Sequence, residues 1–404
     1  MIMQYTSQDV QSFVAEEDVR FIHLAFCDVF GRQKNIAILP SELPRAFSYG
    51  IAIDASAIRG FGGQVHSDLF LHPLPQTLTL LPWRPEQGKL VQMQCKVSCP
   101  DGSPFENDTR SLLIRAVEEA GARGLRFSFG AELEFYLFCL DDQGNQTRVP
   151  VDQASYMDSA PDDRGEGVRR EICMMLQELG IQPEGAHHEE GPGQNEIDFR
   201  YSDALSAADN AMAFRRVVKT VAARNGLWAD FSPRPLENAP GSGFHINISV
   251  QSATGEDLLG PMIAGILRHT GEITMFLNPL EGSYTRLGRD KAPRFITWSA
   301  QNRSQLIRVP AAQGEFRRAE LRSPDPAANP YLAYALLIWA AMDGITGKLS
   351  LPPSADLNLF TADRETQARF ARLPESKETA AALAASSDFL RAHLPRTLID
   401  SYCL

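Results

Sequence analysis

Six side chains in this 404-residue chain are of types that hold hard metal ions, at spacings that could gather them. Glu132 and Glu134 lie in FSFGAELEFYLF (127–138), Glu189 and Glu196 in EGAHHEEGPGQNE, His245 in GSGFHINISV and Glu320 in FRRAELRSP. In a β-strand, residues i and i+2 point to one face. Glu132 and Glu134 therefore face away from Leu133 and Phe135. By the same alternation Glu196, Asp198 and Arg200 oppose Ile197, Phe199 and Tyr201. His245, Asn247 and Ser249 oppose Phe244, Ile246, Ile248 and Val250, and Arg318, Glu320 and Arg322 oppose Ala319 and Leu321. One such segment is more often a solvated strand face, and a histidine among apolar residues is more often a core residue. Several of them in one sheet define a polar concavity.

Two like charges about 4 Å apart repel by roughly 4 kcal/mol at an effective dielectric of about 20. Glu132, Glu134, Glu189, Glu196 and Glu320 crowded together would not all stay ionised without cations. An oxygen-rich set with one imidazole suits Mg²⁺ or Mn²⁺, in contrast to zinc held by thiolates. Arg286, Arg303, Arg308, Arg318 and Arg322 accompany these segments, and guanidinium groups grip phosphate and carboxylate through paired hydrogen bonds. Carboxylates with divalent ions, facing several arginines, imply a polyanion such as ATP together with an acidic substrate. The sequence has neither a P-loop nor a dinucleotide fingerprint, so the nucleotide is held in another way.

The elements that must position these residues are mixed. The first hundred residues read as strands: RFIHLAFCDVFGRQKNIAIL as a hairpin turning at Gly31, then LTLLPW and KLVQMQCKVSC. A Pro/Gly/Asp-rich connector follows, with Asn107 and Asp108 as caps of a helix that ends at Gly121 or Gly124. Beyond it strands alternate with helices, among them GVRREICMMLQELG, a long helix over Ala207–Asn225, DLLGPMIAGILRHTGEITMFL and NPYLAYALLIWAAM. QLIRVP and FRRAELRSP form a hairpin. The pattern is α+β: a small sheet domain over 1–104, then a larger domain over 105–404 with a sheet carrying helices on one side.

Composition narrows the partners. The net charge of −11, from 39 basic and 50 acidic residues, argues against nucleic-acid binding. The six cysteines are scattered, and Cys95 and Cys99 lack zinc or thioredoxin spacing, so reduced thiols are expected. MIMQYTSQDV has no basic or apolar leader pattern, and the apolar run Tyr331–Met342 is too short to span a bilayer. A cytoplasmic enzyme without a membrane partner is the expectation.

The segments ELEFYLF, HHEEGPGQNEI, GSGFHINIS, TRLGRDKAP, SAQNRSQLIRVP and AELRSPDPAANPYLA, in that order, resemble the glutamine synthetase superfamily over nearly the whole chain. IDASAIRGF, with Asp54, resembles part of that family's N-terminal β-grasp domain. The resemblance implies a catalytic domain built on a curved antiparallel sheet. It implies that Glu134, Glu189 and Glu196 ligate one Mg²⁺ or Mn²⁺ beside the acidic substrate, and that Glu132, His245 and Glu320 ligate a second on the ATP phosphates; a third ion is also compatible. Arg303, Arg308 and Arg318 match residues that contact the phosphoryl groups. Glu184, Tyr201, Asn247 and Ser249 match the nucleotide pocket, with Tyr201 placed to stack on adenine. Arg286, Arg322 and Gly241 match the surroundings of the amino-acid substrate, expected to be glutamate. Asp54 matches the aspartate that enters a neighbouring subunit's site and binds the ammonium. The implied reaction makes an acyl phosphate from a carboxylate and ATP, then an amide from an amine.

Four positions depart from the family pattern. Lys291 stands where a flap glutamate is expected, in a loop one residue shorter, and Pro240 stands where an asparagine helps hold the substrate's amino group. Lysine cannot accept a proton as a carboxylate can, and proline offers no amide side chain and no N–H. These changes imply an intact phosphorylation half and a rebuilt amine half, as in γ-glutamyl-amine ligases of the superfamily. An ammonia-using glutamine synthetase remains the alternative. A non-catalytic relative acting in binding or regulation is a third reading, opposed by the six filled ligand positions, and a phosphotransferase is a fourth, sharing only the fold. Phe360 replaces a tyrosine that some bacterial members adenylylate, and the chain stops at LIDSYCL. A homo-oligomer is expected with active sites between subunits in a hexameric ring, and the short C-terminus leaves a stacked dodecamer open.

Overall fold

The computed structural model describes residues 5–63, 67–83, 88–300, 302–312, 314 and 317–404. Gln301 of SAQNRSQLIRVP and Phe316 of FRRAELRSP lie outside them. The chain divides into two compact units, Met1–Leu112 with Glu178–Gly180, and Leu113–Gln177 with Ile181–Leu404.

The first unit contains α1 (Ser7–Glu16), β1 (Val19–Cys27), β2 (Gln33–Ile38), α2 (Leu43–Tyr49), β3 (Ile51–Asp54), β4 (Asp68–Pro73), β5 (Thr79–Leu81) and β6 (Lys89–Ser98). Its strand order is β2-β1-β6-β4-β3, with β5 on β6. β1 and β2 form the expected hairpin, and Gly31 takes φ 77° at its turn. The two helices correct the reading of this stretch as strands alone. A capping box starts α1: Asp9 N–H donates to Thr6 Oγ1 at 3.2 Å, and Thr6 N–H donates to Asp9 Oδ2 at 2.7 Å. Val10 and Val14 then fall on its buried side.

The chain continues through α3 (Thr109–Gly121), β7 (Leu125–Leu140), β8 (Gln146–Pro150), α4 (Glu166–Glu178), β9 (Pro183–His188), β10 (Gln194–Asp203), α5 (Ala204–Arg224) and β11 (Leu227–Asp230). After these come β12 (Phe244–Ser252), α6 (Leu259–Leu277), α7 (Glu281–Arg286), β13 (Trp298–Ala300), β14 (Ile307–Val309), β15 (Ala319–Leu321) and α8 (Pro330–Thr346). Four short helices, α9 (Arg364–Gln367), α10 (Lys377–Ser386), α11 (Asp388–His393) and α12 (Arg396–Cys403), complete it. The long helix expected from Ala207 begins earlier, at Ala204, where Asp203 accepts the Leu205 and Ser206 N–H groups as its cap. The sheet runs β13-β14-β15-β12-β7-β10-β9, with β8 and β11 also on β7. Among the described residues its pairs are antiparallel except for the parallel pair β13–β14.

Helices pack on the apolar face of this sheet. α5 lies on β7 and β10, and α8 packs against α5 and α6. Phe129 stacks on Tyr334 with ring centroids 4.2 Å apart, and Phe135 and Phe199 both meet Phe214. Ile197, Phe244 and Ile246 are fully buried there. α6 and α8 touch through their backbones: a Cβ at Gly265 would stand 2.2 Å from the Ala340 carbonyl, and one at Gly344 would stand 2.2 Å from that of Pro261. Gly265→Ala must push the two helices apart, and overpacking of this kind costs about 1–3 kcal/mol. Thermal unfolding followed by circular dichroism is expected to show a lower Tm, with the native helix signal retained at low temperature.

Candidate active site

β7 is the strand from which the site is built. Its Glu132 stands opposite Asp198 on β10 and His245 on β12, and its Glu134 stands opposite Glu196. Asn247 is opposite Glu320 on β15, which is opposite Arg308 on β14. Glu196 is also opposite His187 on β9. Directly opposed residues of antiparallel strands share a face. All of these side chains therefore stand on the face turned away from α5, as the alternation predicts.

The carboxylates converge. His245 Nδ1 lies 3.4 Å from Glu132 Oε2 and 3.9 Å from Glu320 Oε1, while its Nε2 lies 3.8 Å from Glu134 Oε1. Glu132, Glu196 and His245 each offer a ligand atom within 4.8 Å of the others, and so do His187, Glu189 and Glu196. Hydrogen bonds aim several of them. Glu134 Oε2 accepts from the Gly243 N–H at 2.7 Å and from Gln194 Nε2 at 3.1 Å, and Glu132 Oε1 accepts from Asn247 Nδ2 at 2.8 Å. His187 Nε2 meets Glu189 Oε1 at 2.9 Å. Glu320 is ion-paired through one oxygen with Arg308, at 2.8 Å, and through the other with Arg322.

The turn before β12 leaves no room for side chains. A Cβ at Gly243 would stand 2.5 Å from His245 Nε2 and 3.0 Å from Arg286 Nη2, and one at Gly241 would stand 2.6 Å from the Pro233 carbonyl. Arg286 is buried and donates to the Ser323 carbonyl at 2.8 Å. Pro240 contributes through its carbonyl, which accepts from the Tyr136 hydroxyl at 2.6 Å.

A cavity beside this cluster is lined by Glu132, Glu184, Asp198, Tyr201, Asn247, Ser249 and Arg318. Strict alternation places Tyr201 on the apolar face with Phe199, and Arg200 among the carboxylates. A bulge corrects both. Between Phe199 and Ser202 the register slips, so that Phe199 faces Ala131 while Ser202 faces Phe129, three residues spanning two. The extra residue turns Tyr201 over Gly130, where its Cβ would meet a Cβ at 3.4 Å, and leaves Arg200 exposed. Arg303 is exposed on the turn between β13 and β14. Asp54 belongs to the first unit, where its exposed carboxylate accepts the Ser56 N–H at 2.9 Å and the Ser56 hydroxyl at 2.6 Å.

Three residues gain roles that the sequence reading did not give them. Asp198 was placed on the polar face without a function, His187 precedes Glu189 by one strand repeat, and Gln194 is buried with its amide bridging Glu134 to the Gly241 carbonyl at 3.2 Å. The i+2 spacing His187–Glu189 was the available signal for His187. Nothing local marks Gln194, whose importance is its position under Glu134. A second buried acid group, Asp152, Asp163 and His188, is already occupied by protein partners. Asp152 holds His188 Nε2 at 2.9 Å and the Gly193 N–H, and Asp163 is ion-paired with Arg169.

Burial, and then the charges of Glu134, Asp198 and Glu132, push Glu196 well above the usual carboxylate range. Burial and the Glu132 charge push Asp198 up to about 7, and its Oδ1 is buried without a hydrogen-bond partner. For Glu132 burial works the same way, but the hydrogen bond and charge of His245 and the Asn247 amide outweigh it and hold the group low. Burial and mutual repulsion thus favour a positive partner, a proton or a metal ion, at Glu196 and Asp198. An orphaned oxygen, several carboxylates and one imidazole fit Mg²⁺ or Mn²⁺. Such an ion needs ionised oxygens, so its binding expels protons. Affinity is expected to rise with pH between about pH 6 and 8, and titration calorimetry in buffers of different ionisation enthalpy reads the released protons. Gln194→Ala, which removes an amide aiming Glu134, is expected to weaken metal-dependent activity by about 10- to 100-fold in a metal titration.

The fold agrees with comparisons to known proteins. The family model for the glutamine synthetase β-grasp domain matches residues 18–100, and that for the glutamine synthetase catalytic domain matches residues 106–404. A glutamine synthetase of Clostridium saccharobutylicum is 42% identical over 88% of this chain and 84% of its own length. One from Methanosarcina mazei is 41% identical over 98% of this chain and 92% of its own. A solved structure described as a GmaS/ADP complex superposes with a TM-score of 0.88 at 27% identity, covering 98% of this chain and 94% of that one. The chain belongs to the glutamine synthetase family and is an ATP-dependent ligase that forms carbon–nitrogen bonds.

Proposed function

We propose that this ligase joins glutamate, through its side-chain carboxylate, to an organic amine in preference to ammonia. The observation that carries the reading is Lys291. By the family resemblance it stands at the position of the flap carboxylate, and it is ion-paired with Glu190.

Glu134, Glu189 and Glu196 would hold one divalent ion, and Glu132, His245 and Glu320 another. Bound there, the ions supply positive charge to the phosphates and the acid. Glu184, Tyr201, Asn247, Ser249 and Arg318 receive the nucleotide in the cavity that they line. Arg303, Arg308 and Arg318 neutralise the phosphoryl group in transfer. Arg286, Arg322 and the backbone at Gly241 hold the amino acid, whose side-chain oxygen attacks the γ-phosphorus as ADP leaves. The alkylammonium gives up one proton near Asp54, its nitrogen then attacks the acyl carbon, phosphate departs, and the nitrogen releases a second proton as the amide forms. Asp54 takes the amine side of the reaction from a neighbouring subunit in a hexameric ring, stacked or single, which mass measurement in solution distinguishes.

A second reading, an ammonia-using glutamine synthetase, is favoured by the names of relatives that are 40–42% identical. A screen of ammonia and organic amines with glutamate, ATP and Mg²⁺ or Mn²⁺ decides between them through phosphate release and product mass. The expected result is a kcat/KM for at least one organic amine about tenfold or more above that for ammonia. Preference for ammonia overturns the proposal, and ATP turnover without any amide product overturns both readings.

A further inference from the structure

Lys291 and its partners form an arrangement that the family resemblance does not describe. Lys291 Nζ is ion-paired with the Glu190 carboxylate and also lies 5.7 Å from the centroid of the Tyr156 ring. Tyr156 is 46% exposed, so its ring is accessible, and it meets His187 edge-on at 5.4 Å. Glu190 follows Glu189 directly, and its N–H donates to Glu189 Oε2 at 3.1 Å. The loop's own carboxylate, Asp290, lies 3.7 Å from Arg234, and the carboxylate that meets residue 291 is supplied from the β9–β10 turn.

A lysine side chain is itself a primary alkylammonium: a methylene stem ending in a compact cation with three N–H donors. Its head finds the two groups that recognise such a cation, a carboxylate and an aromatic face. We infer that Glu190 and Tyr156 form the receiving site for the protonated organic amine, and that Lys291 occupies this site as an internal stand-in which the substrate displaces. The inference rests on the amine-ligase reading and names the substrate class: primary alkylammonium ions, with Tyr156 covering the first carbons. Ammonium, which has no alkyl stem, forgoes the contact between methylenes and the ring and keeps only the attraction of its charge.

The test measures KM separately for amine, glutamate and ATP, using the full-length enzyme and a straight-chain primary amine. Glu190→Gln is expected to raise the amine KM about tenfold or more while glutamate and ATP KM stay within about twofold, and Glu190→Asp is expected to restore part of the loss. Lys291→Met removes the competitor and is expected to lower the amine KM severalfold. An unchanged amine KM in Glu190→Gln overturns the inference, as does an equal rise in all three KM values or a higher amine KM in Lys291→Met. The two proposals fail separately. A wild-type preference for organic amines with an indifferent Glu190→Gln removes only this site. A preference for ammonia with ammonia KM raised in Glu190→Gln removes the organic-amine reading and leaves Glu190 as the cation acceptor.

Discussion

The mutual repulsion of carboxylates on one sheet face is the constraint on which the rest of this structure depends. Glu132, Glu134, Glu196, Asp198 and Glu320 come from three strands, β7, β10 and β15, and opposed registers, with β12 between β7 and β15, bring them together. Left alone, such a group resists closure by several kcal/mol for each close pair. Two responses are visible. Basic groups are interleaved, with Arg308 and Arg322 on Glu320 and His245 among three acids. Protonation is the response open to the remainder, since burial and neighbouring charges push Glu196 and Asp198 upward. Divalent ions meet the same requirement better, because they also satisfy oxygen lone pairs that have no hydrogen-bond donor.

A charged face of this kind needs a rigid backing. The other side of the same strands is a layer of aromatic and branched residues closed by α5, α6 and α8. Phe129, Phe135 and Phe199 lock the strands to the helices that carry Tyr334 and Phe214. Burial of that layer stabilises the sheet at roughly 25 cal/mol for each Å² of apolar surface removed from water. It is the term large enough to offset the electrostatic strain opposite it. The backbone contact of Gly265 with Gly344 keeps two of these helices at their closest approach. Precision at the polar face is thus set by packing on the apolar one.

Much of this was legible in the sequence because strand periodicity is strict. The i+2 rule alone put Glu132 with Glu134, Glu196 with Asp198, and His245 with Asn247, and each pair does share a face. The rule failed where the strand is irregular. One inserted residue after Phe199 exchanges the fates of Arg200 and Tyr201, and no residue type there announces the bulge. Gln194 escaped for another reason: its role depends on β10 lying beside β7, a tertiary fact. α1 was missed although Thr6 and Asp9 spell a capping box, since the strand signal of the following residues dominated the reading. Lys291 was readable as a departure, but its partner was not. Glu190 and Tyr156 lie far from it in sequence, and only the fold brings an ammonium, a carboxylate and a ring together.

The central claim is that these acids share one cluster on the sheet face because doubly charged ions make their closeness tolerable. Anomalous diffraction from crystals grown with Mn²⁺ tests it most directly. The account predicts anomalous peaks inside the cluster, one within bonding distance of Glu132, His245 and Glu320 and another within bonding distance of Glu134, Glu189 and Glu196. A cluster without a peak, or manganese bound only elsewhere on the molecule, would contradict it.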